Sequence, residues 1–259
     1  MAHGFSLTRH DGLPAYAERL ASAGAAVLVF DYRHLGDSPG QPRQRFRKAA
    51  QLEDWRAAVA AARALPQVDP ARIVLWGFSF GGGHAVETAA ADGDIAATIV
   101  LCPFLDGLAR VLATPPRVAA WLLTRAVADV AGRHNLVPVT GPVGGRAAMP
   151  LPGEADGFAA VVPPGSPWAQ RDQPRPVRHH RLPSSGGQGP QGEMPPVGRA
   201  RADRHHRVAE GRGAAGRPGP GGGAAPLSLQ PFEPFLGDGP GRVTADQVDF
   251  LRRTGILTD

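Results

Sequence analysis

The stretch Ile73-Val74-Leu75-Trp76-Gly77-Phe78-Ser79-Phe80-Gly81-Gly82-Gly83 constrains this chain more than any other. Its leading apolar residues, two of them β-branched, predict a buried strand. A glycine-flanked serine follows at once, and then a helix-compatible run from His84 to Ala91. Gly77-x-Ser79-x-Gly81 between strand and helix is the context in which a serine is held on a strained backbone as a nucleophile. Residues lacking Cβ atoms let strand and helix approach it closely. The alternative is a glycine-rich turn with an ordinary serine, and the flanking strand and helix favour the nucleophile.

The surrounding pattern places this turn in a sheet. Pro14 to Ala23 predicts a helix, with proline in its first turn and Gly24 as its stop. Ala26 to Phe30 predicts a buried strand leading into Asp31-Tyr32-Arg33. Arg47 to Leu65 predicts a long helix, since Leu52, Trp55, Val59 and Ala62 recur at three- and four-residue spacing. Ile95 to Leu101 is a further apolar run, ending at Pro103-Phe104-Leu105-Asp106-Gly107. Strands and helices alternating over short connections predict parallel strands in a doubly wound α/β sheet. Ligands bind such sheets at the carboxyl ends of the strands. His3, Asp31, Ser79 and Asp106 all fall there.

Residues 1–107 therefore read as the core, and 108–168, helical and then loop-rich, as a cap or lid over its mouth. Residues 169–231 differ in kind. They contain no Ile, Phe, Tyr, Trp or Lys, and 22 of the 63 positions are Gly or Pro. Ten Arg face four Asp or Glu there, which is +6 of a net charge of +5, leaving −1 for the remainder. Such a segment cannot bury enough apolar area to offset ordering entropy and reads as disordered. From 232 to 259 the ordinary pattern returns, with a terminal helix expected over Gly241 to Thr254. One cysteine, Cys102, excludes an internal disulfide and fits a reducing, cytoplasmic setting. No apolar run approaches the ~18–20 residues of a membrane span, and Met1 to Phe5 lacks a signal-peptide pattern, so no membrane partner is expected.

His3-Gly4-Phe5, Asp31-Tyr32-Arg33-His34-Leu35-Gly36-Asp37-Ser38, Gln51-Leu52-Glu53-Asp54-Trp55 and Gly77-Phe78-Ser79-Phe80-Gly81-Gly82 together resemble bacterial α/β-hydrolases. The nearest group is the dienelactone-hydrolase and serine-aminopeptidase-like set. The resemblance covers about residues 1–168 and resumes at Phe232. It implies an α/β-hydrolase fold and a serine hydrolase acting on small esters, amides or lactones, with no cofactor and no metal. In such relatives the strand ending in His-Gly is longer and two more strands precede it. The resemblance thus implies an incomplete sheet with an uncovered edge.

By the same resemblance, Ser79 is the nucleophile, activated by a general base. The backbone N–H groups of Phe80 and Phe5 form an oxyanion hole, each donor worth about 3–4 kcal/mol in the transition state. His3, Gly4 and Phe78 are expected to line the substrate site. Asp106 is a weak candidate for the acid, more readily a strand-end turn residue, and Asp31 is expected to anchor the loop at Arg33. His10, His34 and His84 read as solvated or structural. His179, His180, His205 and His206 reflect the composition of the basic segment, so no complete triad can be assembled.

Relatives carry the acid and histidine where residues 169–231 stand, which motivates the hypothesis that this segment is translated out of frame. Shifted by one base from Ala169 with GC-rich codons, residues 169–182 can spell RNEINRARCATTGY and 226–230 RYPFN. One base restored beside Pro231 supplies a His before Phe232. Little or no esterase activity is then expected of the chain as written. The alternative is a noncatalytic basic protein that contacts nucleic acid through this segment. Its lack of aromatic stacking platforms and its many Gly and Pro disfavour that reading.

Overall fold

The computed structural model describes residues 1–130, 136–162, 176–178, 208–211 and 232–258. A parallel sheet carries β1 (Val74–Phe78), β2 (Ala97–Leu101) and β5 (Val208–Gly211) in the order β1-β2-β5. On the far side of β1, Ala2 makes a parallel bridge to Gly77, with Ala2 N–H donating to the Trp76 carbonyl at 3.0 Å. A separate antiparallel pair joins β3 (Leu136–Pro138) and β4 (Pro176–Arg178).

Strand alternation sorts the core into two layers. Trp76 and Phe78 of β1 join Ile99 and Leu101 of β2 on one face. Helix α1 (Leu13–Ser22) covers it with Leu13, Tyr16 and Leu20, and α7 (Gly239–Arg253) with Val243, Val248 and Leu251. Leu75 and Val100 point the other way. They meet Trp55 and Val59 of α2 (Lys48–Arg63) and Ala85 and Ala89 of α3 (Phe80–Asp92). Both faces of β1 and β2 are thus buried, which is why they read as continuous apolar runs rather than alternating ones. Two polar ties cross the layers. Trp76 Nε1–H donates to Gln247 Oε1 at 3.1 Å, and Tyr16 O–H donates to the Pro234 carbonyl at 2.6 Å.

Three expectations are corrected. Residues 26–30 do not form a strand and are only partly buried. Among the described residues their ladder contacts are to Met1 alone: the Met1 amino group donates to the Leu28 carbonyl and the Phe30 N–H to the Met1 carbonyl. Two bonds do not offset the entropy of fixing a strand. Between this stretch and β1 lies a cavity of about 780 Å³ lined by Met1, Val27, Val29, Trp55, Val74 and Trp76 among others. Burial there lowers the Met1 amino group to a pKa of about 5. Second, the loop-rich part of the 108–168 region gains two short elements, β3 and the helix α6 (Glu154–Val161). Third, the 169–231 segment is not uniformly irregular, because β5 lies within it and continues the parallel sheet beside β2. The reading-frame hypothesis otherwise falls outside the described residues.

The helical pattern expected from residue 108 takes the form of two helices, α4 (Gly107–Ala113) and α5 (Pro116–Val130), parted at Pro115 and Pro116. Arg110 of α4 forms a bidentate pair with Glu154 of α6, at 2.6 and 3.0 Å, and so joins the two parts of the 108–168 region. Among the described residues no helix is long and apolar enough to cross a membrane.

Candidate active site

Ser79 sits between β1 and α3 at φ 51° and ψ −114°, a conformation that L residues avoid. Three backbone hydrogen bonds hold it there. Its N–H donates to the Leu101 carbonyl at 2.9 Å, and its carbonyl accepts from Gly83 N–H at 3.0 Å and Phe104 N–H at 2.9 Å. The glycines of the motif are required by contact. A Cβ on Gly77 would collide with the Gly81 carbonyl, and one on Gly81 would stand 2.6 Å from the carbonyl oxygens of both Ala2 and His3. Helix α3 therefore rests its first turn directly on the strand end that leads to Gly4 and Phe5.

That strand end lies beside the serine. A Cβ on Gly4 would be 3.1 Å from the Ser79 Cβ. Phe80 N–H opens a 13-residue helix, whose dipole favours negative charge at this end. Among the described residues neither the Phe80 nor the Phe5 N–H has a hydrogen-bond partner. Two orphan donors beside a strained serine are what stabilisation of an oxyanion requires.

His3 and Phe78 are buried, His3 fully. Both side chains are shielded from solvent by the chain itself. Phe78 packs against Phe235 with ring centroids 4.5 Å apart. His3 Nδ1 contacts the Gly4 carbonyl at 2.9 Å, and its Nε2 approaches Asp31 Oδ1 at 3.5 Å, too long for a formed hydrogen bond. Nε2 has no other partner among the described residues.

Asp31 holds the loop that carries Arg33, but not through the Arg33 side chain, which pairs with Asp54 at 2.6 Å and Glu53 at 2.9 Å. Asp31 accepts the backbone N–H groups of Arg9 at 2.6 Å and Asp37 at 2.9 Å, so it ties the loop after Phe5 to the loop after Tyr32. Burial pushes its carboxyl up, but the His3 ring and these two N–H groups together hold it below the usual carboxylate range. Sequence reasoning missed this tie because the acceptor is 22 residues from one of its donors.

The remaining candidates do not meet Ser79. Asp106 caps α4, accepting Leu108 N–H at 2.8 Å and Ala109 N–H at 3.0 Å. His84 hydrogen-bonds Gln51 Oε1 at 2.9 Å, and burial lowers its pKa to about 4. His10 pairs with Asp37 at 2.8 Å. His10, Asp31 and Asp37 lie within 4.8 Å of one another, a grouping open in principle to a metal ion. The Arg9 guanidinium already stands 2.9 Å from Asp37 and 3.8 Å from Asp31, so these carboxylates have their cation. Among the described residues no histidine or carboxylate hydrogen-bonds the Ser79 hydroxyl. His179, His180, His205 and His206 lie outside the described residues, as does most of the Arg-rich segment.

Comparison with known proteins places this geometry in a family. The family described as serine aminopeptidase, S33 matches residues 2–140. A quorum-quenching protein, AidA, of Acinetobacter baumannii is 47% identical over 171 residues, covering 64% of this chain and 56% of that protein. A thiohydrolase, aneE, of Aspergillus aculeatus is 35% identical over 151 residues, covering 56% of this chain and 48% of its own. The chain thus spans about half the length of these curated relatives. Among solved structures, DcsB in complex with its substrate analogue aligns at a TM-score of 0.54 and 27% identity, covering 69% of this chain and 60% of that one. The α/β-hydrolase GrgF from Penicillium sp. sh18 aligns at 0.50 and 26%, covering 62% and 55%.

Proposed function

The chain belongs to the serine aminopeptidase (S33) family of α/β-hydrolases, and from that premise we propose that Ser79 is the nucleophile of acyl transfer to water on small esters, amides or lactones. The observation that carries this reading is the elbow itself: a serine at φ 51° between β1 and α3, pinned by three backbone hydrogen bonds. Its hydroxyl would attack the substrate carbonyl. The Phe80 and Phe5 N–H groups would receive the charge that develops on the carbonyl oxygen, and the acyl-serine would then be hydrolysed. Relatives named a quorum-quenching protein and a thiohydrolase support hydrolytic chemistry on small molecules.

The described residues supply Ser79 with no base. Losing a member of a catalytic triad costs on the order of 10⁴–10⁶ in turnover. The expected behaviour is therefore slow, stoichiometric labelling of Ser79 by a fluorophosphonate with no burst from 4-nitrophenyl acetate. Intact-mass spectrometry of the full chain and of Ser79→Ala tests this. Labelling that persists in Ser79→Ala would exclude Ser79 as the nucleophile. A burst lost in Ser79→Ala would confirm the nucleophile and overturn the expected inactivity.

A further inference from the structure

The cavity between residues 26–30 and β1 has the form of a lane one strand wide. Met1 and Ala2 lie at its near end and show its width. Met1 bonds the 26–30 side, its amino group donating to the Leu28 carbonyl at 2.7 Å and its carbonyl accepting from Phe30 N–H at 3.4 Å. Ala2 bonds the β1 side, its N–H donating to the Trp76 carbonyl at 3.0 Å and its carbonyl accepting from Phe78 N–H at 3.2 Å. One extended chain thus bridges the two sides, which places them two strand spacings apart, about 9–10 Å. That leaves no room for a helix about 10–12 Å across.

Beyond Met1 the lane continues with its backbone groups in register. Successive residues of a strand turn their N–H and C=O to opposite edges. Ile73 and Ser79 bond the β2 side, so Val74, Trp76 and Phe78 turn theirs to the lane. Ala2 takes the Trp76 carbonyl and the Phe78 N–H, while the Trp76 N–H and both groups of Val74 have no partner among the described residues. Across the lane the same holds for the Leu28 N–H and both groups of Ala26. Backbone groups beside an apolar interior are almost always paired. The walls are apolar on both faces, with Leu20, Ile99 and Leu251 of one core and Trp55, Val59 and Ala62 beside the other. The lining side chains Asp69 and Arg72 pair with each other at 2.9 Å, just ahead of β1. A compact apolar ligand would fill this volume and leave the backbone groups bare. An extended peptide answers both.

We propose that this lane is a peptide-binding site, which takes an extended, uncharged segment of another polypeptide as a parallel strand between residues 26–30 and β1, in line with Met1. The site is independent of Ser79. About four residues satisfy the groups named above. The residue next to Met1 donates to the Val74 carbonyl and accepts from Trp76 N–H. The one before it donates to the Ala26 carbonyl and accepts from Leu28 N–H, and the third accepts from Val74 N–H. With apolar walls on both faces, a continuous β-branched run fits better than an alternating one. Ala26 is exposed, which opens the lane for entry. Residues 26–30, which two bonds leave short of a strand, then become one.

Hydrogen exchange of the full chain, read by mass spectrometry, tests this with an acetylated, amidated peptide that carries Val-Ile-Val-Val after a Lys-Lys-Gly leader. Saturating peptide is expected to slow exchange over residues 26–30 by about tenfold or more, together with the Val74 and Trp76 amides. Fluorescence anisotropy of the labelled peptide should saturate at one peptide per chain. Proline in place of the penultimate valine removes the N–H that meets the Ala26 carbonyl and should weaken binding about tenfold. Aspartate at the same place should weaken it by at least about 100-fold. Joining the same four residues ahead of Met1 fills the lane in cis and should abolish binding of the free peptide. Unchanged exchange over residues 26–30, a proline peptide that binds as tightly as its parent, or binding that survives in the extended chain would each overturn the site.

Discussion

Gly4 and Ser79 are in direct apposition: a Cβ on Gly4 would stand 3.1 Å from the Ser79 Cβ and 3.0 Å from the Phe78 ring. Gly4 does not have a positive φ, so the space and not the dihedral excludes a side chain. The segment carrying Gly4 and Phe5 and the Ser79 turn are therefore set against each other with no intervening layer.

Gly4→Ala tests this apposition. The added methyl must push the strand end away by a few tenths of an ångström. We expect a loss of about 1–3 kcal/mol in stability from overpacking, measured by urea denaturation. Fluorophosphonate labelling of Ser79 should slow on the order of 10²-fold, because small misplacements are costly at the reacting centre. Labelling at the wild-type rate would show that Gly4 does not position the donors.

Ser79→Gly and Ser79→Ala separate strain from chemistry. A serine at φ 51° and ψ −114° carries roughly 1–3 kcal/mol of backbone strain. Glycine relieves that strain but costs roughly 0.5–1 kcal/mol in unfolded-state entropy. Ser79→Gly should therefore match or exceed the stability of Ser79→Ala, by up to about 2 kcal/mol. Labelling should be lost in both. Ser79→Ala proving the more stable would show the elbow to be unstrained.

His84 gives the fold a pH dependence with a defined sign. Its folded pKa of about 4 lies below the ordinary histidine value of 6.5, so folding favours the neutral ring. This contribution is fully present above pH 6.5 and is lost as pH falls toward 4, by roughly 3 kcal/mol in all. The buried Met1 amino group acts in the same direction between about pH 8 and 5. Unfolding free energy should rise from pH 4 to pH 8, and His84→Gln should flatten the portion below pH 6.5. A slope unchanged in that variant would assign the effect elsewhere.

The reading-frame hypothesis for residues 169–231 makes a prediction about the gene. Resequencing around codons 168 and 231 should reveal a base count that differs at both junctions from the one encoding the present sequence. An unchanged count would sink it. With the frame restored, a histidine ahead of Phe232 is expected to bring esterase turnover, lost again in Ser79→Ala.

Local pattern revealed much of this fold because its central elements are locally coded. The helices α1, α2, α3 and α7 and the strands β1 and β2 appear within a few residues of their expected bounds. Each has its own apolar periodicity and its own stops. What escaped depends on partners distant in the chain. Residues 26–30 are apolar enough for a strand, but among the described residues only Met1 bonds to them. Val208–Gly211 looks irregular by composition, yet β2 offers it a free edge. In the site, Ser79 with its glycines was legible as a motif. The packing of Phe46 and Phe104 on Phe80 was not, since rings meeting across such separations leave no periodic trace.

The contact of Gly81 with the carbonyls of Ala2 and His3 has a consequence for re-engineering this scaffold. It fixes the approach of the Ser79 turn to the segment carrying Gly4 and Phe5 by backbone meeting backbone, and no side chain takes part. Side chains around the turn can therefore be exchanged in libraries while that approach stays constant, whereas any residue larger than glycine at position 81 forfeits it.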